Sequence, residues 1–273
     1  GADGALVGRV EMIRALVTLL VLLAAPAKAD IVRDRIYHPV SLADTEVEFA
    51  GDPPLPLQAV TADGLALAGY YWAPEAGNDR LVVVFHGRDY NQLVMARRAE
   101  ALREGGHGVL IASYRGYGDN PGKPSEQGLF SDGEAWLAKA RELNPEGRIY
   151  LFGFSLGGAV ALELAARHEV TGVATPGPFT RLADQVPALL RPLLPDRYDN
   201  LAAIARVAEP VVLLHGAKDE VVDPEAAVRL EQAGGANVTR VNLKGGEHFV
   251  PLESIAARLW SLWARLEAAA VEP

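Results

Sequence analysis

The segment Gly153-Phe154-Ser155-Leu156-Gly157 limits the fold of this chain more than any other. It lies between an apolar, strand-like run at 149–152 and a helix-like run at 159–168. A serine in Gly-x-Ser-x-Gly, at the end of a strand and the start of a helix, is typical of a nucleophile elbow. Glycines beside the serine permit a bend that side chains would obstruct, and the N–H groups that open the helix favour negative charge nearby. The pattern therefore predicts a strand–turn–helix unit that presents Ser155 as a nucleophile.

A nucleophilic serine needs a base, and folds with this elbow place the acid and then the histidine after the serine in the chain. The histidines that follow Ser155 are His168, His215 and His248. His168 ends the helix-like run after the elbow, and His215 ends an apolar run. His248 lies in a glycine-rich loop after the strand-like run 238–243 and ahead of the last helix. We predict that His248 is the base; the alternative is an ordinary loop histidine.

The acid that orients the base should follow the strand before that loop. Asp219 is the first carboxylate after the apolar run 211–214, with Glu220 and Asp223 as neighbouring alternatives. Asp223 precedes a proline and is expected to cap the following helix. We therefore predict that Asp219 accepts a hydrogen bond from the ring of His248.

Two backbone N–H groups are predicted to hold an oxyanion. One belongs to Leu156, the residue after the nucleophile, and the other should come from the loop after an earlier strand. The apolar run 81–85 is followed by His86-Gly87-Arg88, so the N–H of Arg88 is the expected second donor. His86 precedes the serine, and we expect it to orient this loop. The Arg88 side chain is either a solvated loop charge or a contact for a substrate carboxylate or phosphate.

Strand-like runs alternate with helix-like runs along the rest of the chain. Residues 57–61 and 65–72 predict a hairpin around an Asp-Gly turn, and later continuous apolar runs predict parallel strands buried on both faces. Those runs lie at 81–85, 108–113, 149–152, 170–174, 211–214 and 238–243, and helices are predicted near 93–104, 131–143, 156–168, 224–233 and 252–269. This order predicts an α/β fold with one doubly wound, mostly parallel sheet of about eight strands and helices on both faces.

Between residues 175 and 199 the alternation stops. Prolines and leucines recur there, at Pro176, Pro178, Pro187, Pro192, Pro195, Leu182, Leu189, Leu190, Leu193 and Leu194. We expect short, partly apolar helices that form a small cap over the site at about 175–205. Such a cap favours acyl or alkyl substrates, unless its leucines only dock it on the body of the domain.

Composition excludes several other classes of function. The net charge is −9 with no basic stripe, which argues against a nucleic-acid partner. The chain has no cysteine, so it forms no disulfide and has no thiolate nucleophile. No histidine pair has metal-ligand spacing, and no phosphate-binding loop follows a strand. The sequence therefore predicts neither a metal nor a cofactor.

The N-terminal region has the pattern of a secretory signal peptide. Met12-Ile13-Arg14 precedes an apolar run at 15–25, and an Ala-x-Ala site ends at Ala29. The run is shorter than the roughly 20 residues that span a bilayer. We predict export to the periplasm or the medium after cleavage near Ala29, which leaves one domain at 30–273. The alternative is an uncleaved anchor that keeps the protein at a membrane.

The segment 113–129, Ser-Tyr-Arg-Gly-Tyr-Gly-Asp-Asn-Pro-Gly-Lys-Pro-Ser-Glu-Gln-Gly-Leu, is more distinctive than the elbow. With 178–180 and 197–200, it resembles the α/β-hydrolase family, in the abhydrolase-domain branch of membrane-associated serine hydrolases and mammalian protein depalmitoylases. The resemblance runs from about residue 54 to 266. It implies an esterase, lipase or thioesterase with a Ser-Asp-His triad at Ser155, Asp219 and His248.

The chain departs from that branch in the first oxyanion loop. The branch usually has His-Gly-Asn-Ala-Gly-Asn where this sequence has His-Gly-Arg-Asp-Tyr-Asn at 86–91. Candidate substrate contacts are therefore Arg88 and Tyr90 in this loop and Phe179 in the cap. The expected function is cleavage of a small-molecule or lipid-like acyl ester or thioester. The alternatives are a peptidase or amidase with the same triad, and a non-catalytic binding protein of the same fold.

Overall fold

The computed structural model describes residues 29–43 and 45–271, so all but the last residue of the predicted N-terminal segment 1–29 lies outside the described residues. The strands are β1 (Leu55–Val60), β2 (Ala66–Trp72), β3 (Arg80–Phe85), β4 (Gly108–Ala112), β5 (Arg148–Gly153), β6 (Gly172–Pro176), β7 (Val211–Gly216) and β8 (Val238–Leu243). They form one eight-stranded sheet in the order β1-β2-β4-β3-β5-β6-β7-β8. β2 is antiparallel to β1 and β4, and every other pair is parallel. The predicted mostly parallel sheet with an antiparallel hairpin is confirmed.

Helices cover both faces of this sheet. They are α1 (29–36), α2 (Gln92–Ala99), α3 (Glu126–Leu143), α4 (Leu156–Ala165), α5 (Asn200–Ile204), α6 (Glu225–Gly234) and α7 (Ala256–Val271). Apolar side chains of α3, α4 and α6 form one core cluster, and those of α2 and α7 form another. Strand β3 contributes side chains to both clusters. Leu81, Val83 and Phe85 face the first cluster, and Val82 and Val84 face the second. The continuous apolar run of β3 is thus explained by burial on both faces.

Helix α3 begins at Glu126, earlier than the predicted start at 131. The Ser125 side chain caps it by accepting the N–H of Gly128 at 3.1 Å. Glycines in the first turns weaken the helical pattern in the sequence. Gly133 is there for packing, since a Cβ at this position would lie 2.8 Å from the Val160 side chain of α4.

The short helices expected in the cap region are 3-10 turns at Leu182–Gln185 and Ala188–Leu193. Pro187 before the second turn and Pro192 within it remove backbone donors that a longer α-helix would need. The leucines divide into two groups. Leu182 and Leu194 pack against the core, whereas Leu189 and Leu193 are 86% and 62% exposed.

The remaining helix predictions are close to the observed bounds. The helix predicted near 93–104 is α2 followed by a 3-10 turn at Glu100–Arg103, and the one predicted at 252–269 is a 3-10 turn at Leu252–Ser254 followed by α7. Within residues 29–43 and 45–271, no helix combines the length and the apolar character needed to cross a bilayer.

Candidate active site

The turn between β5 and α4 holds Ser155 in a strained backbone conformation. Its φ is 50° and its ψ is −109°, which non-glycine residues rarely adopt. Glycine is required on both sides of the turn, because a Cβ at Gly153 would lie 2.2 Å from the Gly157 oxygen and one at Gly157 would lie 2.2 Å from the Phe85 oxygen. The elbow thus places Ser155, half-buried, at the carboxyl end of the central strands.

The structure joins the predicted base to the predicted acid. The Nδ1 atom of His248 lies 2.8 Å from Oδ2 of Asp219, and both side chains are buried. His248 comes from the loop after β8 and Asp219 from the loop after β7, which are neighbouring parallel strands. Asp223, the rejected alternative, instead accepts the N–H of Glu225 at the start of α6 at 2.9 Å.

Ser155 and His248 lie in the same region without a direct hydrogen bond. The N–H of Ser155 donates to the Pro176 carbonyl at 3.0 Å, and a Cβ on the next residue, Gly177, would lie 2.7 Å from Cε1 of His248. Among the described residues, however, no hydrogen bond connects Ser155 Oγ to the imidazole. Catalytic hydrogen bonds are often long in the absence of substrate and shorten in its complex.

Four donors surround the carboxylate of Asp219. The N–H groups of Val221 and Val222 donate to Oδ1 at 2.9 and 2.8 Å, and Nε2 of His215 lies 3.0 Å from Oδ2, beside His248. Burial alone would raise the pKa of Asp219, but the hydrogen bonds from His215, His248 and the Val222 backbone outweigh it and hold that pKa below its usual range. Asp219 is therefore an ionised carboxylate that fixes the His248 ring. The contact between His215 and Asp219 was not predicted, because the sequence indicated only that His215 ends an apolar, strand-like run.

Both predicted oxyanion donors line the same cavity as Ser155. Within the described part of the chain, neither the N–H of Leu156 nor that of Arg88 donates to a protein acceptor. The loop that carries Arg88 is held by His86, whose Nδ1 lies 2.8 Å from the Gly87 carbonyl oxygen. Burial lowers the pKa of His86 to about 4, so this ring is neutral at physiological pH. His86 thus has the orienting position expected of it.

The cavity above Ser155 has a volume of about 240 Å³. Its lining residues are Arg35, Ile36, Arg88, Ser155, Leu156, Phe179, Leu182, Gln185, Val186, Val221 and Val222. Two residues that were predicted to contact substrate, Arg88 and Phe179, therefore line the same cavity as Ser155. The Arg88 guanidinium is also paired with the adjacent Asp89 at 3.2 Å. The third predicted contact, Tyr90, does not line this cavity; its ring packs against Phe154 and Phe249 on the other side of the elbow.

Helix α1 forms a wall of this cavity that the sequence did not reveal. Arg35 and Ile36 lie on it, and the neighbouring Arg33 and Tyr37 bind Asp196 of the cap with distances of 3.0–3.1 Å. Asp196 is buried, and the surrounding polar side chains are far apart in the chain. No periodicity or motif links them, so only the folded structure shows that α1 and the cap enclose the site together.

Known proteins with related sequences match most of this chain. A family described as "Serine aminopeptidase, S33" matches residues 76–204. An uncharacterized protein of Mycobacterium tuberculosis is 38% identical over 200 residues, which cover 70% of this chain and 71% of that protein. The alpha/beta hydrolase domain-containing protein 17B of Homo sapiens is 35% identical over 119 residues, 42% of this chain and 41% of that protein. The last relative agrees with the resemblance found in segment 113–129.

Solved structures extend this likeness to the fold. An esterase of Pyrococcus furiosus superimposes with a TM-score of 0.67 at 19% identity, over 85% of this chain and 98% of that one. Nearly the whole of that protein is therefore matched by this chain, which shows a shared fold.

Proposed function

We propose, from the premise that this chain belongs to the α/β-hydrolase family of serine hydrolases, that it cleaves an ester or thioester through Ser155, His248 and Asp219. The observation that carries the proposal is the buried His248–Asp219 pair beside a serine at φ 50°. A strained, glycine-flanked serine next to an oriented imidazole is the arrangement that activates a hydroxyl nucleophile.

In the proposed reaction, Ser155 Oγ attacks the substrate carbonyl carbon while His248 accepts the hydroxyl proton. The N–H groups of Leu156 and Arg88 stabilise the negative oxygen of the tetrahedral intermediate. His248 then gives the proton to the departing alcohol or thiol, and an acyl-enzyme remains. Water, deprotonated by His248, attacks the acyl-enzyme, and the proton returns to Ser155 Oγ as the acid is released. Asp219 stabilises the imidazolium in both halves.

The cavity supports a substrate with an apolar acyl group. Its walls are formed largely by aliphatic and aromatic side chains, among them Ile36, Phe179, Leu182 and Val222. Such lining favours acyl or alkyl groups over charged ones. A small-molecule acyl ester is thus the substrate class to test first.

The test is labelling of the folded protein by a fluorophosphonate, together with hydrolysis of p-nitrophenyl esters. Wild type should be labelled, and Ser155→Ala should lose labelling and about 10⁴ or more in turnover. Ser261→Ala is the matched control, because that serine lies on α7 and donates to the Ala257 carbonyl. Ester hydrolysis by Ser155→Ala at the wild-type rate would contradict the proposal, and no labelling of folded wild type would favour a binding protein.

Amide hydrolysis is the second candidate, because the matching family is described as a serine aminopeptidase. The same triad serves both reactions, so geometry does not separate them. Matched ester, thioester and anilide substrates with one acyl group separate them by kcat/KM. Turnover of the anilide with an inert ester would replace the proposed esterase by an amidase.

Export is part of the same proposal. Cleavage after Ala29 would leave α1 from Asp30 onward, with the Arg33–Asp196 contact that closes the cavity. Mass spectrometry of the protein secreted by an expressing cell tests this. A mature N-terminus at Asp30 is expected, and an intact N-terminus in the membrane fraction would favour the anchor.

A further inference from the structure

A second cavity lies on the opposite side of the elbow from the Ser155 cavity. Its volume is about 450 Å³, and it shares no lining residue with the cavity above Ser155. It opens between α2 and the segment 249–253. Its lining residues are Tyr90, Met95, Arg97, Arg98, Phe152, Phe154, Phe249, Val250, Pro251, Leu252 and Glu253. This volume falls within the roughly 300–1,000 Å³ of small-molecule sites.

Three rings form an aromatic corner of this cavity. The ring centroids of Tyr90 and Phe154 are 5.7 Å apart, those of Tyr90 and Phe249 are 5.9 Å apart, and those of Phe154 and Phe249 are 5.4 Å apart. Phe249 is 46% exposed although it packs on two other rings. An exposed aromatic ring at the edge of an apolar cavity leaves a surface that a ligand can cover.

The charge at this cavity is positive. The Arg98 guanidinium lies 4.9 Å from the Tyr90 ring centroid and 5.7 Å from that of Phe249. Within residues 29–43 and 45–271, no carboxylate forms an ion pair with Arg98. The other arginine of the cavity, Arg97, is paired with Glu253 at 3.7 Å and with Glu100, which does not line the cavity, at 3.5 Å, so its charge is offset. Arg98 is thus the uncompensated cation beside an apolar, aromatic interior.

We propose that this cavity binds a monocarboxylate with an apolar or aromatic body. A planar guanidinium can form two parallel hydrogen bonds to a carboxylate, which gives it a fixed orientation. The aromatic corner and the side chains of Met95 and Leu252 would cover the rest of the ligand. One unpaired guanidinium matches one negative charge, so a monocarboxylate fits this cavity better than a more highly charged anion.

The position of the cavity connects it with the catalytic residues. Phe154 is the residue before Ser155, Phe249 is the residue after His248, and the Phe154 and His248 rings are 5.2 Å apart. A ligand against these two rings would therefore restrain the backbone on which the nucleophile and base are carried. A carboxylic acid is also the product class of ester hydrolysis. That last connection, unlike the binding itself, rests on the proposed function.

Titration with 2-naphthoate, followed by calorimetry, tests the site directly and needs no turnover. The uncharged 2-naphthylmethanol is the control for the aromatic body. Arg98→Gln should weaken naphthoate binding at least tenfold and leave naphthylmethanol binding unchanged, because only the carboxylate forms a charge-assisted pair with the guanidinium. Arg103→Gln is the matched variant, since Arg103 also stacks on a ring, Trp72, at 5.2 Å but outside this cavity. It should bind as wild type does.

Arg88→Gln tests whether the ligand binds in the Ser155 cavity, because Arg88 lines that cavity and not the second one. Loss of naphthoate binding in Arg88→Gln with full binding in Arg98→Gln would overturn the proposal, as would absence of saturable binding by wild type at millimolar concentration. A second variant, Val250→Trp, should block both ligands by filling the cavity from its rim, with thermal melting to show that it folds. If binding follows this pattern while fluorophosphonate labelling fails, the site stands and the proposed function does not.

Discussion

Asp219 and Asp132 are carboxylates with fully buried side chains in two different regions of the molecule. Asp219 lies in the loop after β7, at the carboxyl ends of the parallel strands, and Asp132 lies on α3. Asp132 binds Arg115 through the backbone N–H at 2.8 Å and through the guanidinium at 2.7 Å. Asp219 binds backbone N–H groups and imidazoles, and no arginine or lysine of the described residues forms an ion pair with it.

The two environments move the pKa values in opposite directions. Burial raises the pKa of Asp132, and the hydrogen bonds from Arg115 offset only part of that increase. At Asp219, burial also acts to raise the pKa, but the hydrogen bonds from two imidazoles and the backbone lower it further than burial raises it. The charge of Asp132 is neutralised by its neighbour, whereas the charge of Asp219 is free to stabilise an imidazolium. This difference fits a structural role for the first carboxylate and the proposed catalytic role for the second.

The largest expected effect is on catalysis at Asp219. Asp219→Asn should lower kcat by roughly 10³–10⁴, because the amide no longer fixes the His248 tautomer or stabilises its cation. Asparagine has nearly the same shape as aspartate, so the fold should persist. Asp223→Asn is the control, since that side chain only caps α6. Ester hydrolysis assays measure this, and a change below tenfold would remove Asp219 from the triad.

The next effect is on stability at Asp132. Asp132→Ala should reduce the free energy of unfolding by about 3–5 kcal/mol, because it leaves the Arg115 guanidinium without its buried partner. The rate per folded molecule should stay unchanged. Urea unfolding and an active-site titration measure the two quantities separately. Asp63→Asn, which removes the solvent-exposed partner of Arg115, should cost less; an equal loss would mean that burial of Asp132 is not the cause.

Part of this contrast is predictable from sequence. The order of Ser155, Asp219 and His248 follows from the topology, because loops after neighbouring parallel strands meet at one edge of the sheet. The sheet itself follows from apolar runs of strand length. These signals lie in short, periodic stretches of sequence, so they can be recognised without knowledge of the tertiary packing.

The rest depends on contacts between distant segments. Arg115 meets Asp132 because the β4–α3 connection folds back, and α1 reaches the cap through Arg33 and Asp196. Tyr90 was predicted to contact substrate as a residue of the oxyanion loop, yet its ring packs against Phe154. Side-chain direction within an irregular loop is set by packing on both sides, which no spacing rule encodes.

The pH dependence of stability should separate the two carboxylates with opposite signs. The pKa of Asp219 is lowered in the folded state. Its contribution to stability is therefore present above the pKa of about 3.9 that the carboxyl has in the unfolded chain, and it is lost as pH falls below that value. A raised pKa at Asp132 means that the folded state takes up a proton first, so stability rises as pH falls toward about 3.9. Urea unfolding of Asp132→Asn and Asp219→Asn beside wild type from pH 7 to 3 measures both differences. If both substitutions changed the pH dependence of the free energy of unfolding in the same direction, the contrast between the two carboxylates would be contradicted.

The smallest expected effect concerns His215, the second imidazole at Asp219. Its Nε2 is 3.0 Å from Asp219 Oδ2 and 3.1 Å from the Val222 carbonyl, so one N–H is shared between two acceptors. A neutral hydrogen bond shared in this way is expected to contribute about 1 kcal/mol. His215→Phe should therefore lower kcat about fivefold, and His215→Gln, which keeps a donor, should recover most of it. If His215→Phe were as damaging as Asp219→Asn, the carboxylate would depend on both imidazoles together, and the distinction between a catalytic and a supporting histidine would fail.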